Sequence, residues 1–548
     1  MMDSQSKFIS IAFIAVLTLL LSVGSYSCKK IVNPNAGKNT KDTIQYTFLK
    51  TRVFAQFVDA ATNENITSYD GSILSVEIVG KSNMMVADIL GVNKEKYYPQ
   101  NGLLSFSLLP DMAPSPSSPV VFTIKTKLLG YLPAFKEVTI TSEGDYYIKI
   151  PLVYLEMPPE GIIIETLNNV GNLYKGVVNS DIVITTTSGE AKITIPAGAK
   201  LSASDSTFLS GNLFLKLIYH NLDSDIGMAT ISGGVNSSII KDNNIANALF
   251  FPGAVLDLII TDSDYKDAAY LEDKKLEIEV VIPNGTYNPS VWSNYKNGDN
   301  IDVAVYLPDT GLWSYEESAI ITTGNGGLIA STSTFGLHSY IFGNYKSIVC
   351  NDGPSFKLAG GCQQCGSILL DGILRKEIDD SFISRITVAA NWEGTSSISE
   401  RTGNTKAYID WGENNNCNSC SIDPSVSPTS IDNMCTQATI SLPLIDNGTS
   451  VISINANFNG QCLSDTNFII LPSFGIWTRH IDSPCWRWSS MENGVANICN
   501  LNFGETYIIG THFDDMWQQW EITIDNESDY NFTLEFSDHV CNDIFGIL

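Results

Sequence analysis

The sequence predicts an all-β chain of tandem antiparallel β-sandwich domains, with the C-terminal part stapled by disulfides. Three observations predict it. Runs of apolar–polar alternation recur along the chain, and a period of two puts one face of a strand on a core and the other in water. Val, Ile, Thr, Tyr and Phe are plentiful beside 41 Gly and 21 Pro, a mixture of strand formers and turn formers. Ten of the eleven cysteines lie between Cys350 and Cys541.

The 548 residues make three or four domains at roughly 150 residues each. Hydrophobic residues are 44% of the chain and charged residues 17%, which is globular composition. The formal charge of −27 repels phosphate backbones, so nucleic acid is excluded as an expected partner. It also opposes flat adsorption to anionic lipid and favours solubility.

At the N-terminus Lys7 precedes an apolar run from Phe8 to Val23, followed by Gly24-Ser25-Tyr26-Ser27 and Cys28. A charged start, an apolar stretch and a small-residue site make residues 1–27 a signal peptide. No other segment approaches the ~20 apolar residues of a spanning helix. Leu21 to Lys30 resembles a bacterial lipobox, and its Ser-Cys-Lys-Lys form resembles lipoproteins of Bacteroidetes, although Tyr26 replaces a small residue and no Leu stands three before the cysteine. The resemblance implies lipidation of Cys28 and a place in the cell envelope as an outer-membrane lipoprotein, on its periplasmic or surface face. Two or three acyl chains anchor stably where one does not. An ordinary cleaved signal followed by an incidental cysteine is the alternative. Residues 28–45, rich in Lys, Asn, Pro and Gly, read as a flexible tether.

Residues 46–157 carry alternating runs at Thr51–Val58, Ser72–Val79, Gly102–Leu108, Val120–Thr126 and Tyr146–Ile150, separated by turn residues. With Asp59-Ala60-Ala61-Thr62-Asn63 after the first run, Asn101-Gly102 before a Phe-containing run and Gly130-Tyr131 after another, this order resembles the carboxypeptidase-regulatory-like, transthyretin-type sandwich. The resemblance implies a structural module without catalysis. Pro158-Pro159-Glu160-Gly161 marks a linker. Residues 162–345 carry Ile193-Thr194-Ile195-Pro196-Ala197-Gly198-Ala199, then Asp309-Thr310-Gly311-Leu312-Trp313, then His338-Ser339-Tyr340. That succession is similar to the β-sandwich of ankyrins and netrin receptors, and implies a domain that binds or positions proteins. It also implies that His338 is a buried strand residue closing the domain, and no second His or Cys lies near it in sequence.

The cysteines remaining after Cys28 are Cys350, Cys362, Cys365, Cys417, Cys420, Cys435, Cys462, Cys485, Cys499 and Cys541. An even, clustered set in an exported chain reads as a framework of up to five disulfides, whose pairing the sequence does not disclose. The Cys362/Cys365 and Cys417/Cys420 pairs stand about fifty residues apart, against about 15–20 in a zinc ribbon. Neither opens a strand–helix unit of redox type, so structural disulfides are expected and metal is not. Residues 346–475 form a Cys-rich β domain and residues 476–548 a Trp-rich β unit in this reading.

Five histidines are present, without a His-Glu-x-x-His helix, a Gly-x-Ser-x-Gly elbow or a phosphate-cradling loop. No catalytic residue and no cofactor is therefore assigned, though a carboxylate pair escapes such scans. Asp262, Asp264 and Asp267 alternate as calcium ligands do but lack the Gly and terminal Glu, so a solvated loop is expected. Trp486 and Trp488 fall on one face of a strand, and with Trp517 and Trp520 they form either a ligand platform that stacks on sugar rings or part of a small core. The expected function is that of a lipid-anchored, non-catalytic binding or scaffold module with a protein or glycan ligand. The alternatives are a carbohydrate-binding lipoprotein of a glycan-uptake system and a carboxylate-dependent hydrolase.

Overall fold

The computed structural model describes residues 42–45, 49–66, 72–324, 326–348, 353–360, 367–391, 396–398, 403, 405–411, 420–436, 438–446, 452–513, 516–525 and 529–545. The chain is all-β. Among the described residues the α-helices are short, Asp225–Ala229 and Asp538–Asp543, and none is long and apolar enough to cross a membrane. The signal peptide and Cys28 lie outside the described residues.

The first unit is a sandwich. Its four-stranded sheet runs in the order Val86–Asp88, Leu103–Leu108, Thr51–Asp59 and Gly144–Leu152; its three-stranded sheet is Ser75–Val79, Val120–Lys127 and Phe135–Ile140. Val53, Ala55, Phe57, Phe106, Phe122 and Ile124 fill the space between them. Thr51–Asp59 is buried on both faces, because Arg52 and Phe54 are covered from outside the sandwich.

The second unit packs a five-stranded sheet on a seven-stranded one. The seven run in the order Asn236–Lys241, Leu312–Ile320, Asn300–Leu307, His338–Ile348, Asn244–Asp262, Gly211–His220 and Ile162–Leu173. Its inner face supplies Leu215, Leu217, Leu256, Val303, Tyr340 and Phe342 to the core. Its outer face carries Phe250, Val255, Ala304, Tyr306, Trp313 and Ile341, which share one cluster with Phe356, Leu374, Val388 and Leu442 of the third unit. A sheet covered on both sides loses the apolar–polar alternation of a half-exposed sheet, and Val303 to Tyr306 is accordingly a continuous buried run.

The third unit is two four-stranded sheets, one led by Ser355–Gly360 and Thr439–Asp446, the other by Phe382–Asn391 and Ser367–Lys376. The division from the last unit falls before Ile452, not at residue 475. Ile452–Cys462 is the hub of the last sheet and pairs with Phe468–Leu471, Val495–Leu501 and Asp529–Phe536. The edge of that sheet also corrects the tether. Asp42–Gln45 pairs in parallel with Phe468–Leu471, so the expected flexible segment ends in a strand. Thr43 and Ile44, both β-branched, suit a strand. On the far side, Gln518 imitates a backbone pair: its amide donates to the Glu535 carbonyl (2.7 Å) and accepts from the Glu535 N–H (3.2 Å). The side chain thereby joins Met516–Thr523 to Asp529–Phe536 and leaves the sheet nearly closed.

Cys462 and Cys541 form a disulfide that ties the hub strand to the C-terminal helix across 79 residues. Closing a loop of that length stabilises by roughly 4 kcal/mol through the unfolded chain. Cys435 and Cys485 are disulfide-bonded too. Cys420 lies on Cys420–Ile422 and Cys499 on Val495–Leu501, while Cys350, Cys362, Cys365 and Cys417 lie outside the described residues.

Candidate functional site

Three groups of side chains combine chemistry with burial. The first is a polar network under the outer face of the seven-stranded sheet. Asp257 and Ser339 face each other across two strands, and the Ser339 hydroxyl donates to the Asp257 carboxylate. The other carboxylate oxygen lies 2.5 Å from His220 Nε2, and Ser232 Oγ lies 2.8 Å from Ser339 Oγ. His220 Nδ1 faces the Gly227 carbonyl and the Thr230 hydroxyl, each at 3.1 Å. Ser224 caps the short helix that brings Gly227 and Thr230 there.

These are the residue types of a hydrolytic triad in the wrong order. A nucleophile is activated by an imidazole placed between it and the carboxylate. Here the carboxylate lies between the imidazole and the serine. His220 is wholly buried and the Asp257 side chain is 5% exposed. The network is a buried clasp joining three strands and a helix. His338, next to it, is only half-buried and opens its strand at φ +91°, and desolvation pushes its imidazole pKa below the ordinary value.

The second group is the junction of the first and last units. Phe54 stacks on Tyr147 (5.3 Å between centroids) and meets Trp488 at 4.7 Å and Trp477 at 6.4 Å. Beside it Arg52 holds Asp145 through two bonds of 2.7 and 2.9 Å, and reaches Ser490 Oγ of the last unit at 2.9 Å. Gly475 allows the approach, since a Cβ there would sit 2.0 Å from Trp488 Nε1 and 2.6 Å from Phe54.

The four candidate tryptophans do not make a coplanar, open platform. Trp488 is buried in this junction, and Trp486 and Trp517 are half-buried with their rings at 84°. Trp520 belongs to the last unit's core, 5.4 Å from Phe458 and 5.3 Å from Phe532. The physical reason is that the first unit docks on the strands that carry Trp477 and Trp488. The Asp262 carboxylate, for its part, accepts the backbone N–H groups of Asp264, Lys266 and Ser210, so it staples a turn. Asp514 and Asp515, a further acidic cluster of the sequence, lie outside the described residues.

The third group is the junction of the first three units. Lys136 Nζ meets Ser384 Oγ at 3.2 Å, Lys149 Nζ meets Asp371 at 2.5 Å and Arg375 meets Asp225 at 2.6 Å. Lys376, wholly buried against the Phe251 ring, has its pKa pushed down to about 8 by desolvation. Glu137 accepts the Ser238 N–H at 3.0 Å in a small cavity also lined by Lys136, Gly233 and Ser384. Burial pushes its carboxyl pKa up to about 7, against the opposing pull of Ser238 and Lys136.

A carboxyl whose pKa is raised on folding stabilises the fold fully only below its unfolded pKa, and that stability drains away as pH climbs through the folded pKa. The window here runs from about 4.5 to about 7. A full shift of that size is worth roughly 3 kcal/mol, and the partial exposure of the residue lowers it to about 1–2 kcal/mol. Glu137→Gln is therefore expected to gain that much on the native chain between pH 5 and pH 8, read as the pH dependence of the stability difference in urea. A difference that does not change with pH would refute the assignment.

No family model matches this chain, and no curated protein matches it. Among solved structures it is similar to BcpA, the major pilin subunit of Bacillus cereus, with 8% identity over 88% of this chain and 98% of that one and a TM-score of 0.14. A candidate carbohydrate-binding protein from Bacteroides uniformis has 11% identity over 41% of this chain and 98% of its own, with a TM-score of 0.14. The full-length pilin RrgB of Streptococcus pneumoniae has 8% identity over 88% of this chain and 100% of its own, with a TM-score of 0.13. Likeness at these scores assigns neither a family nor a function.

Proposed function

We propose that the chain is a lipid-anchored, non-catalytic binding and scaffold module of the cell envelope. The observation that carries this reading is where the reactive side chains are spent. His220, Asp257 and Ser339 hold strands together, and Arg52, Lys136, Lys149 and Arg375 fasten units to one another. A body locked in this way suits holding surfaces at fixed distances. The strand Asp42–Gln45 adds the direction: residues 29–41 alone separate Cys28 from the last unit's sheet. Such a segment, fully extended, reaches about 45 Å, so the last unit sits close to the bilayer and the second and third units face the partner.

Phase partition in Triton X-114 tests the anchor. The native chain is expected in the detergent phase and Cys28→Ser in the aqueous phase. Amine cross-linking on whole cells tests the binding half, with discrete adducts expected for the native chain. Equal partition of both chains sinks the anchor, and a chain that cross-links to nothing sinks the scaffold.

A further inference from the structure

Among the cations gathered where the first three units meet, one stands without a partner. Lys149 holds Asp371, Arg375 holds Asp225 and Lys136 reaches the Ser384 hydroxyl. Arg385, on the strand Phe382–Asn391, makes no side-chain hydrogen bond and no ion pair among the described residues, and its Nε is closed off from solvent. A guanidinium nitrogen taken out of water without an acceptor forfeits its hydration, and arginine cannot shed its proton to compensate.

Strand geometry puts it there. Ile386 and Val388 turn into the third unit's core, so Arg385 and Thr387 take the other face, together with Asp371, the cross-strand partner of Thr387. Asp371 is already taken: Lys149 of the first unit donates to one carboxylate oxygen and the Thr387 hydroxyl to the other. Arg385 instead lines a cavity of about 40 Å³. Lys136 and Lys149 line it from the first unit, Thr230 and Gly234 from the second, and Ser384 beside Arg385 from the third. No carboxylate stands among its described lining residues. Glu137 lies in the adjoining cavity, and its carboxyl, pushed up to about 7 by burial, offsets Lys136 only in part.

We propose that this cavity binds a small organic acid by its carboxylate, and that the bound acid fastens the three units to one another. The flat guanidinium fork of Arg385 matches the two oxygens of a carboxylate, and the ammonium groups of Lys136 and Lys149 add charge from another unit. Size selects the ligand. A cavity of this volume admits about three or four water-sized groups. An acid the size of acetate fills it, whereas a sugar ring or a nucleotide does not enter. Ile150, Met228 and Ile383 line the remainder and suit a short carbon chain, which phosphate and sulfate lack.

Saturation-transfer NMR of the full mature Cys28→Ala chain with acetate tests this, beside its calorimetric midpoint in acetate, phosphate and chloride at equal ionic strength. Saturation transfer to the acetate methyl is expected, with a midpoint that rises and saturates over the millimolar range of acetate and not of the other two salts. Arg385→Gln is expected to weaken acetate binding at least tenfold. Arg385→Lys, which keeps the charge and loses the fork, weakens it severalfold and carries the comparison if the glutamine chain does not fold. Lys50→Gln, at an exposed pair with Glu143, leaves it unchanged. Three results overturn the inference: no transfer from the native chain, binding that both Arg385 variants retain in full, or equal midpoint rises in all three salts, which is general screening only. None of these touches the whole-cell cross-linking result, which decides the binding-module reading by itself.

Discussion

Asp257→Ala is expected to destabilise the second unit by about 3–5 kcal/mol, because removing the carboxylate of a buried hydrogen-bonded network strands its partners. Both carboxylate oxygens are in use, one on His220 and one on Ser339. Alanine leaves an imidazole nitrogen and two linked hydroxyls in a site closed to water, and each orphaned group costs about 1–3 kcal/mol. Asp257→Asn separates the polar clasp from simple packing. Its carbonyl still accepts from Ser339, and its amide donates to His220 Nε2 once the imidazole carries its proton on Nδ1, facing the Gly227 carbonyl. The asparagine chain is therefore expected to lose only about 1–2 kcal/mol. Urea unfolding of both chains makes the comparison, and equal losses for Ala and Asn would show that hydrogen bonding is not what holds this site.

The sequence made the strands legible and hid what lies between the units. Period-two alternation found Thr51–Val58, Ser72–Val79 and Val120–Thr126, and those runs are strands in the structure. It says nothing about a strand's second face, and so gives no sign that Arg52 and Phe54 are covered from outside the sandwich. Local pattern does not place the hub strand Ile452–Cys462 in the last unit, because its long pairings are with Val495–Leu501 and Asp529–Phe536, far along the chain. The tryptophans leave two readings open for the same reason: a large ring signals a buried contact or a bound ligand, and only the docked first unit decides which. One signal for the polar clasp was present. Asp257 interrupts the apolar run from Ala254 to Ile260 at a strand position, and a lone acid in such a run calls for a buried partner. Its partners His220 and Ser339 stand 37 and 82 residues away, beyond any local pattern.

The junction between the first and last units is expected to fail as a whole when Phe54 is removed. Phe54 is wholly buried and touches Tyr147, Trp477 and Trp488, so Phe54→Ala opens a cavity worth about 3–5 kcal/mol. Its loss also uncovers the Arg52–Asp145 pair, whose third contact is Ser490 of the last unit. Because Leu49, Ile89 and Leu90 of the first unit also sit in the last unit's core, the two are expected to unfold together in the native chain. Phe54→Ala is expected to divide that single calorimetric transition in two and to expose Trp477 and Trp488 to acrylamide. Tyr147→Phe sharpens the test in the opposite direction. The Tyr147 hydroxyl is buried without a hydrogen-bond partner, so deleting it is expected to be neutral or to stabilise by about 1 kcal/mol. A single unchanged transition in Phe54→Ala would mean that Leu49, Ile89 and Leu90 and the polar contacts join the units without Phe54. A loss in Tyr147→Phe as large as that in Phe54→Ala would mean that the ring cluster is not packed as described.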